Sequence, residues 1–137
     1  MAKLILENFD ALRELEGKQL PKGDWITVTQ EMINNFAKAT GDLQWIHVDV
    51  KKAAQFSPFK KTVAHGFMSV SLLSKMLGEL IEVKTAKMGV NYGLNKVRFP
   101  DPVLVNSRLR LSSSILKVEA YNVTGIKITW ACTLEIE

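Results

Sequence analysis

At 137 residues, 47% hydrophobic and 23% charged, the chain has the makings of one ordinary globular domain with a sizeable core. Its net charge of +4 includes the pairs Lys51-Lys52 and Lys60-Lys61, but not the dense basic stripe or aromatic-basic interleaving of a nucleic-acid binder. No apolar run approaches the roughly 18 residues of a membrane span, and a lone cysteine, Cys132, permits no internal disulfide and fits a reducing cytoplasm.

The opening stretch "MAKLILENFD" has one early lysine and an apolar patch too short for a signal peptide. Residues 8–16, "NFDALRELE", put Phe9, Leu12 and Leu15 on one face of a short helix that Gly17 can end. "WITVT" at 25–29 is β-branched and aromatic, which predicts a strand. Thr29 can then cap a helix over 30–40 with Met32, Ile33, Phe36 and Ala37 inward and Gly41 as its C-terminal stop. Asp42 therefore follows a helix C-terminus. Asp49 is a plausible N-cap for the short segment "VKKAAQF".

After Pro58 comes "AHGFMSVSLLSKMLGELIEV", 64–83, with too many apolar positions for one stripe. It predicts a helix that is apolar nearly all round and buried on most sides. The last third reads as strands: "GVNYGLNKVRF" at 89–99, a "PDP" turn at 100–102, then "SRLRLSSSILKVEAYN" and "GIKITWACTLEIE" around a turn near Asn122–Gly125. Arg108, Arg110 and Ser112 alternate with Leu109 and Leu111, and Lys127 and Thr129 with Ile128 and Trp130, giving each strand one wet and one buried face. One buried helix followed by an antiparallel sheet is an α+β arrangement, with the sheet wrapped round the helix. No repeat or linker divides the chain, so residues 1–137 read as a single domain.

The chemistry-bearing stretch is "TGDLQWIHVD", 40–49, which sets Asp42 and His47 five positions apart with Trp45 and Ile46 between them. Followed by "TVAHGFMSVSLLS" at 62–74 and "VRFPDPV" at 97–103, it resembles the MaoC-like, (R)-specific enoyl-CoA hydratase branch of the hotdog-fold superfamily. Within that branch it is similar to the nodulation-protein-N-like members, over residues 15 to the end. The resemblance implies Asp42 and His47 as the catalytic carboxylate and imidazole. It implies the Gly66 backbone N–H as the group polarising the thioester carbonyl, and Ser74 as a site-orienting serine. It also implies a homodimer with sites at the subunit boundary. Two features depart from the family: Gln44-Trp45 stands where many hydratases have Asn-Pro, and the chain stops at Glu137 where one more strand is usual, so a C-terminal strand is expected to be missing.

The chemistry is coherent on these residues. Hydrating an alkene conjugated to a thioester needs a base for water, a proton donor for the α-carbon and stabilisation of the enolate oxygen. His47 and Asp42 can share the first two while Trp45 and Ile46 exclude bulk water; Gly66, at a helix start, can supply the third. His65 is read as fixing that helix start, with a second acid–base role as the alternative. Met68, Met76 and Cys132 are read as core. Two histidines fall short of a usual metal site, and no cofactor is expected beyond the coenzyme A of the substrate. Trp45, Lys60 and Lys61 are candidate substrate contacts, one of the lysine pairs steering coenzyme A phosphates, with solvated surface as the alternative reading of both pairs. The expected activity is hydration of trans-2-enoyl-CoA to (R)-3-hydroxyacyl-CoA; a hotdog thioesterase and a non-catalytic acyl-thioester binding module are the alternatives.

Overall fold

The computed structural model describes residues 2–137. In chain order its elements are β1 (Leu4–Leu6), α1 (Phe9–Arg13), β2 (Ile26–Thr27), α2 (Gln30–Thr40), α3 (Trp45–Val48) and α4 (Val50–Phe56). Then come α5 (Gly66–Ser71), α6 (Leu73–Leu80), β3 (Ile81–Val83), β4 (Arg108–Ala120) and β5 (Ile126–Ile136). They fall into two compact units. One holds the chain up to Asp24, Ser74–Val97 and Leu111–Leu134; the other holds Trp25–Leu73, Arg98–Arg110 and Glu135–Glu137. β2, β4 and β5 lie side by side in that order.

In the first unit β1 and β3 pair in parallel, Leu4 opposite Ile81 and Leu6 opposite Val83. Asn8 caps α1 through its Oδ1 and the Ala11 N–H. The chain turns at Gly17, whose φ of 79° suits glycine. It then runs beside β4, donating from Leu20 and Gly23 to the carbonyls of Ser113 and Leu111. Leu12, Leu20, Met76, Leu80, Leu111 and Ile115 form the buried core of this unit, each large side chain worth about 1.5–3 kcal/mol of apolar burial. Burial pushes the half-buried Cys132 thiol up in pKa.

The second unit is where the polar motif lies. β2 pairs antiparallel with the start of β4, Ile26 opposite Leu109. α2 has the predicted bounds and both predicted caps: Thr29 accepts from the Met32 N–H, and Gly41 closes the helix in the left-handed region. Its buried face is Ile33 and Ala37. Asp49 caps α4 by accepting from the Lys52 N–H at 3.0 Å. The segment 62–64 lies against 103–105, with Val63 bridging Leu104 and hydrogen bonds from Ala64 N–H to Val103 and from Val105 N–H to Thr62.

Four expectations are corrected. The helix predicted over 64–83 is two helices meeting at Leu72, followed by β3. Ser71 turns its hydroxyl back onto the Phe67 carbonyl at 2.8 Å, a bond that bends helices, and the β-branched "IEV" finds a strand partner in β1. Nor is the helical region buried all round, since Phe67 is 67% exposed. Residues 89–99 form no strand; Val90, Tyr92 and Leu94 alternate in the sequence but all three are exposed, so the alternation does not mark a buried face. β4 alternates as expected, burying Leu109, Leu111, Ser113 and Ile115, whereas β5, at the sheet edge, has no fully buried residue on either face.

Candidate active site

The second unit brings Asp42, His47 and His65 together. Asp42 lies in the turn that Gly41 opens, where its Oδ1 accepts from the Gln44 N–H at 3.4 Å. The α3 turn then swings His47 inward, to 7% exposure. Its Nδ1 lies 2.6 Å from the Val63 carbonyl oxygen. A carbonyl can only accept, so Nδ1 carries a hydrogen, and in the neutral ring Nε2 is then the nitrogen with the lone pair.

His65 ends in the opposite tautomer by the same reasoning. Its Nε2 faces the backbone carbonyl of Asp42 at 3.0 Å and therefore donates, while Nδ1 is buried and has no hydrogen-bond partner among the described residues. The two imidazoles stack at 3.7 Å between centroids and 21° between planes, and Phe36 packs on His65 at 4.9 Å. The Asp42 Oδ2 stands 3.9 Å from His65 Nε2. His65 is the N-cap residue of α5 but bonds none of that helix's amides with its side chain; it ties back to the Asp42 turn instead.

Asp42, His47 and His65 each offer a ligand atom within 4.8 Å of the others. Their geometry does not suit a metal ion. A metal lies in the plane of each imidazole that binds it, about 2.0–2.1 Å from nitrogen, and two nearly parallel rings stacked 3.7 Å apart share no such point.

Gly66 opens α5 beside a cleft of about 310 Å³ lined by Ala64, Ser69, Phe99, Pro100, Asp101 and Val103 among others. The Phe99 ring lies directly on Gly66: a Cβ there would stand 2.8 Å from ring carbon Cδ2. The "RFPDPV" signature therefore forms a wall of this cleft. The other predicted residues are not gathered here. Ser74 belongs to the first unit, exposed, donating to Asn91 Oδ1 at 3.3 Å. Trp45 is half-buried with the Lys52 ammonium 5.0 Å over its ring, and Lys51, Lys60 and Lys61 are exposed. Asp42 itself is 55% exposed at its side chain, not enclosed by Trp45 and Ile46 as expected, because it sits on the turn outside α2 and α3. From sequence Phe36 read only as an inward residue of α2 and Phe99 only as part of the "VRFPDPV" stretch, and neither was assigned a place in the site.

The family model described as "MaoC like domain" matches residues 13–131. The chain belongs to the MaoC-like family. This MaoC-like protein is 45% identical over 135 residues to 3-hydroxyacyl-thioester dehydratase Z of Mycobacterium tuberculosis, covering 96% of this chain and 89% of that one. It is 43% identical over 122 residues to nodulation protein N of Rhizobium leguminosarum bv. viciae, covering 88% and 76%. Among solved structures it matches the monoamine oxidase regulatory protein from Archaeoglobus fulgius with a TM-score of 0.75 at 20% identity, over 100% of this chain and 88% of that one. The fold is thus the α+β hotdog fold of MaoC-like proteins, and family and relatives together make the chain a hydratase/dehydratase enzyme.

Proposed function

We propose that this MaoC-like protein catalyses reversible, (R)-specific addition of water to trans-2-enoyl-CoA, giving (R)-3-hydroxyacyl-CoA. The observation that carries the reading is the Nδ1–H of His47 given to Val63, which leaves Nε2 as the base, on a ring gathered with Asp42 and His65 so that one ligand atom of each lies within 4.8 Å of the others. Water held between Nε2 and Asp42 gives a proton to Nε2 as its oxygen bonds the β-carbon. The alkene electrons move to the thioester oxygen, where the Gly66 N–H at the start of α5 receives the charge. The imidazolium then returns the proton to the α-carbon on the same face, and one water has been added. Dehydration is the same path reversed, and the name of the mycobacterial relative supports it.

No metal or other cofactor enters this scheme. Exposed Lys60 and Lys61 would draw in the coenzyme A phosphates, with Trp45 at the substrate's edge. A second copy of the chain is part of the proposal, supported by Met88, Val90, Tyr92 and Leu94, which are 61–82% exposed in the single chain. No helix among the described residues is long and apolar enough to cross a membrane, and we place the enzyme in the cytoplasm. Loss of the enoyl-thioester chromophore across a panel of chain lengths, with chiral analysis of the product, tests the reading. Release of free thiol without hydration would point to a thioesterase instead.

A further inference from the structure

We infer that Gln30 and Thr62 form a clamp that holds His47 in its basic tautomer, and that both are positioning residues of the reaction. The inference deepens the function proposed above and rests on it for its kinetic consequences. Gln30 is the first residue of α2, set there by the Thr29 cap. Its Nε2 donates to the backbone carbonyl of His47 at 2.8 Å and to Asn34 Oδ1 at 2.9 Å. Because the nitrogen must face the His47 carbonyl, its amide oxygen faces the other way, where it accepts from the Thr62 hydroxyl at 2.5 Å.

Thr62 is 1% exposed, and the residue after it supplies the carbonyl that takes the His47 Nδ1–H. One side-chain pair thus grips both ends of the bond that sets the tautomer: the His47 backbone through Gln30, and the Val63 carbonyl through Thr62. Two backbone bonds complete the frame, from Val63 N–H to Ile46 and from Val105 N–H to Thr62. Neither Gln30 nor Thr62 joins the cluster of ligand atoms of Asp42, His47 and His65. Their effect passes through the placement of Nε2. Both polar atoms of the Gln30 amide are engaged, and besides Asn34 one turn along α2 its partners lie 17 and 32 residues away.

The test uses Gln30→Met and Thr62→Val, which keep volume and remove the bonds, with Thr62→Ser as the conservative control. Imidazole 15N NMR reads the His47 tautomer directly, and steady-state kinetics read its consequence. Wild type and Thr62→Ser should show the Nδ1–H form. Folded Gln30→Met and Thr62→Val should show a mixture of tautomers, kcat for enoyl-CoA hydration lower by about 10-fold to 10²-fold, and KM nearly unchanged. Should Gln30→Met not fold, Thr62→Val reads the same pair. A wild-type tautomer in the folded variants overturns the clamp whatever their kcat, as does Thr62→Ser behaving like Thr62→Val. Because the NMR signal needs no substrate, it decides the clamp even if wild type hydrates no enoyl thioester, a result that would remove the proposed function alone.

Discussion

Gly66→Ala separates a packing role from a chemical one. The added methyl would stand 2.8, 2.9 and 3.0 Å from three carbons of the Phe99 ring, where relaxed carbon contacts sit at about 3.5–4.0 Å. The ring must therefore retreat by roughly 0.7 Å or more. Phe99 is 48% exposed and has somewhere to go, which puts the strain at the low end of the usual overpacking range, about 1 kcal/mol. Alanine's better helix propensity offsets part of this, so the single variant understates the clash. A double-mutant cycle with Phe99→Leu cancels the propensity. Chemical denaturation should give a stabilising coupling of about 1 kcal/mol between positions 66 and 99. Activity should behave differently. A methyl beside the Gly66 amide bars close approach of a thioester, so hydration should fall about 10-fold or more, and Phe99→Leu should not restore it. A coupling near zero would refute the steric reading. Recovery of activity in the double variant would refute the chemical one, leaving Gly66 as a packing glycine.

Arg108 holds the Glu137 carboxyl below its ordinary pKa, chiefly through their hydrogen bond. The folded state thus binds fewer protons there than the unfolded state, so this contribution is present above the usual carboxylate range and fades as pH falls through the lowered value. Glu137→Gln should then lower Tm slightly at pH 7 and have no effect near pH 2, and a pH-independent difference would contradict it. Charge reversal at Lys60 and Lys61 should raise KM for enoyl-CoA more than it lowers kcat, and 1 M salt, with a screening length of about 3 Å, should erase the difference; unchanged KM at low salt would leave these lysines as solvated surface. Sedimentation at micromolar concentration should show a dimer, and a monomer would remove the second copy from the proposal.

The parts of the fold that local chemistry decides were legible in the sequence. Thr29 and Gly41 bracket α2, Asp49 caps α4, and the alternation of Leu109 and Leu111 with Arg108 and Arg110 marks β4. The parts that distant partners decide were not. The apolar run 64–83 carries no sign that its last three residues pair with Leu4–Leu6, far away in the chain. Pattern alone likewise gave 89–99 a strand that the structure does not form. In the site, the combined motifs and the resemblance they carry pointed to Asp42 and His47 and read His65 as fixing a helix start. The stacking of the two imidazoles, their opposite tautomers and the Gln30–Thr62 pair depend on contacts that no spacing encodes.

The most direct test is the hydration rate of Asp42→Asn, His47→Gln and the double variant beside wild type, on the enoyl-CoA chain length that wild type favours. Both changes preserve size and some hydrogen bonding while removing proton transfer. Each alone should cut kcat by about 10²-fold or more. The pair should lose far less than the product of the two, because groups that act as a unit are not additive. Melting should move little for Asp42→Asn, whose side chain is exposed. A wild type that hydrates no enoyl thioester of any length, with His47→Gln changing only the melting temperature, would contradict the proposed chemistry and leave the Asp42–His47–His65 cluster as scaffolding.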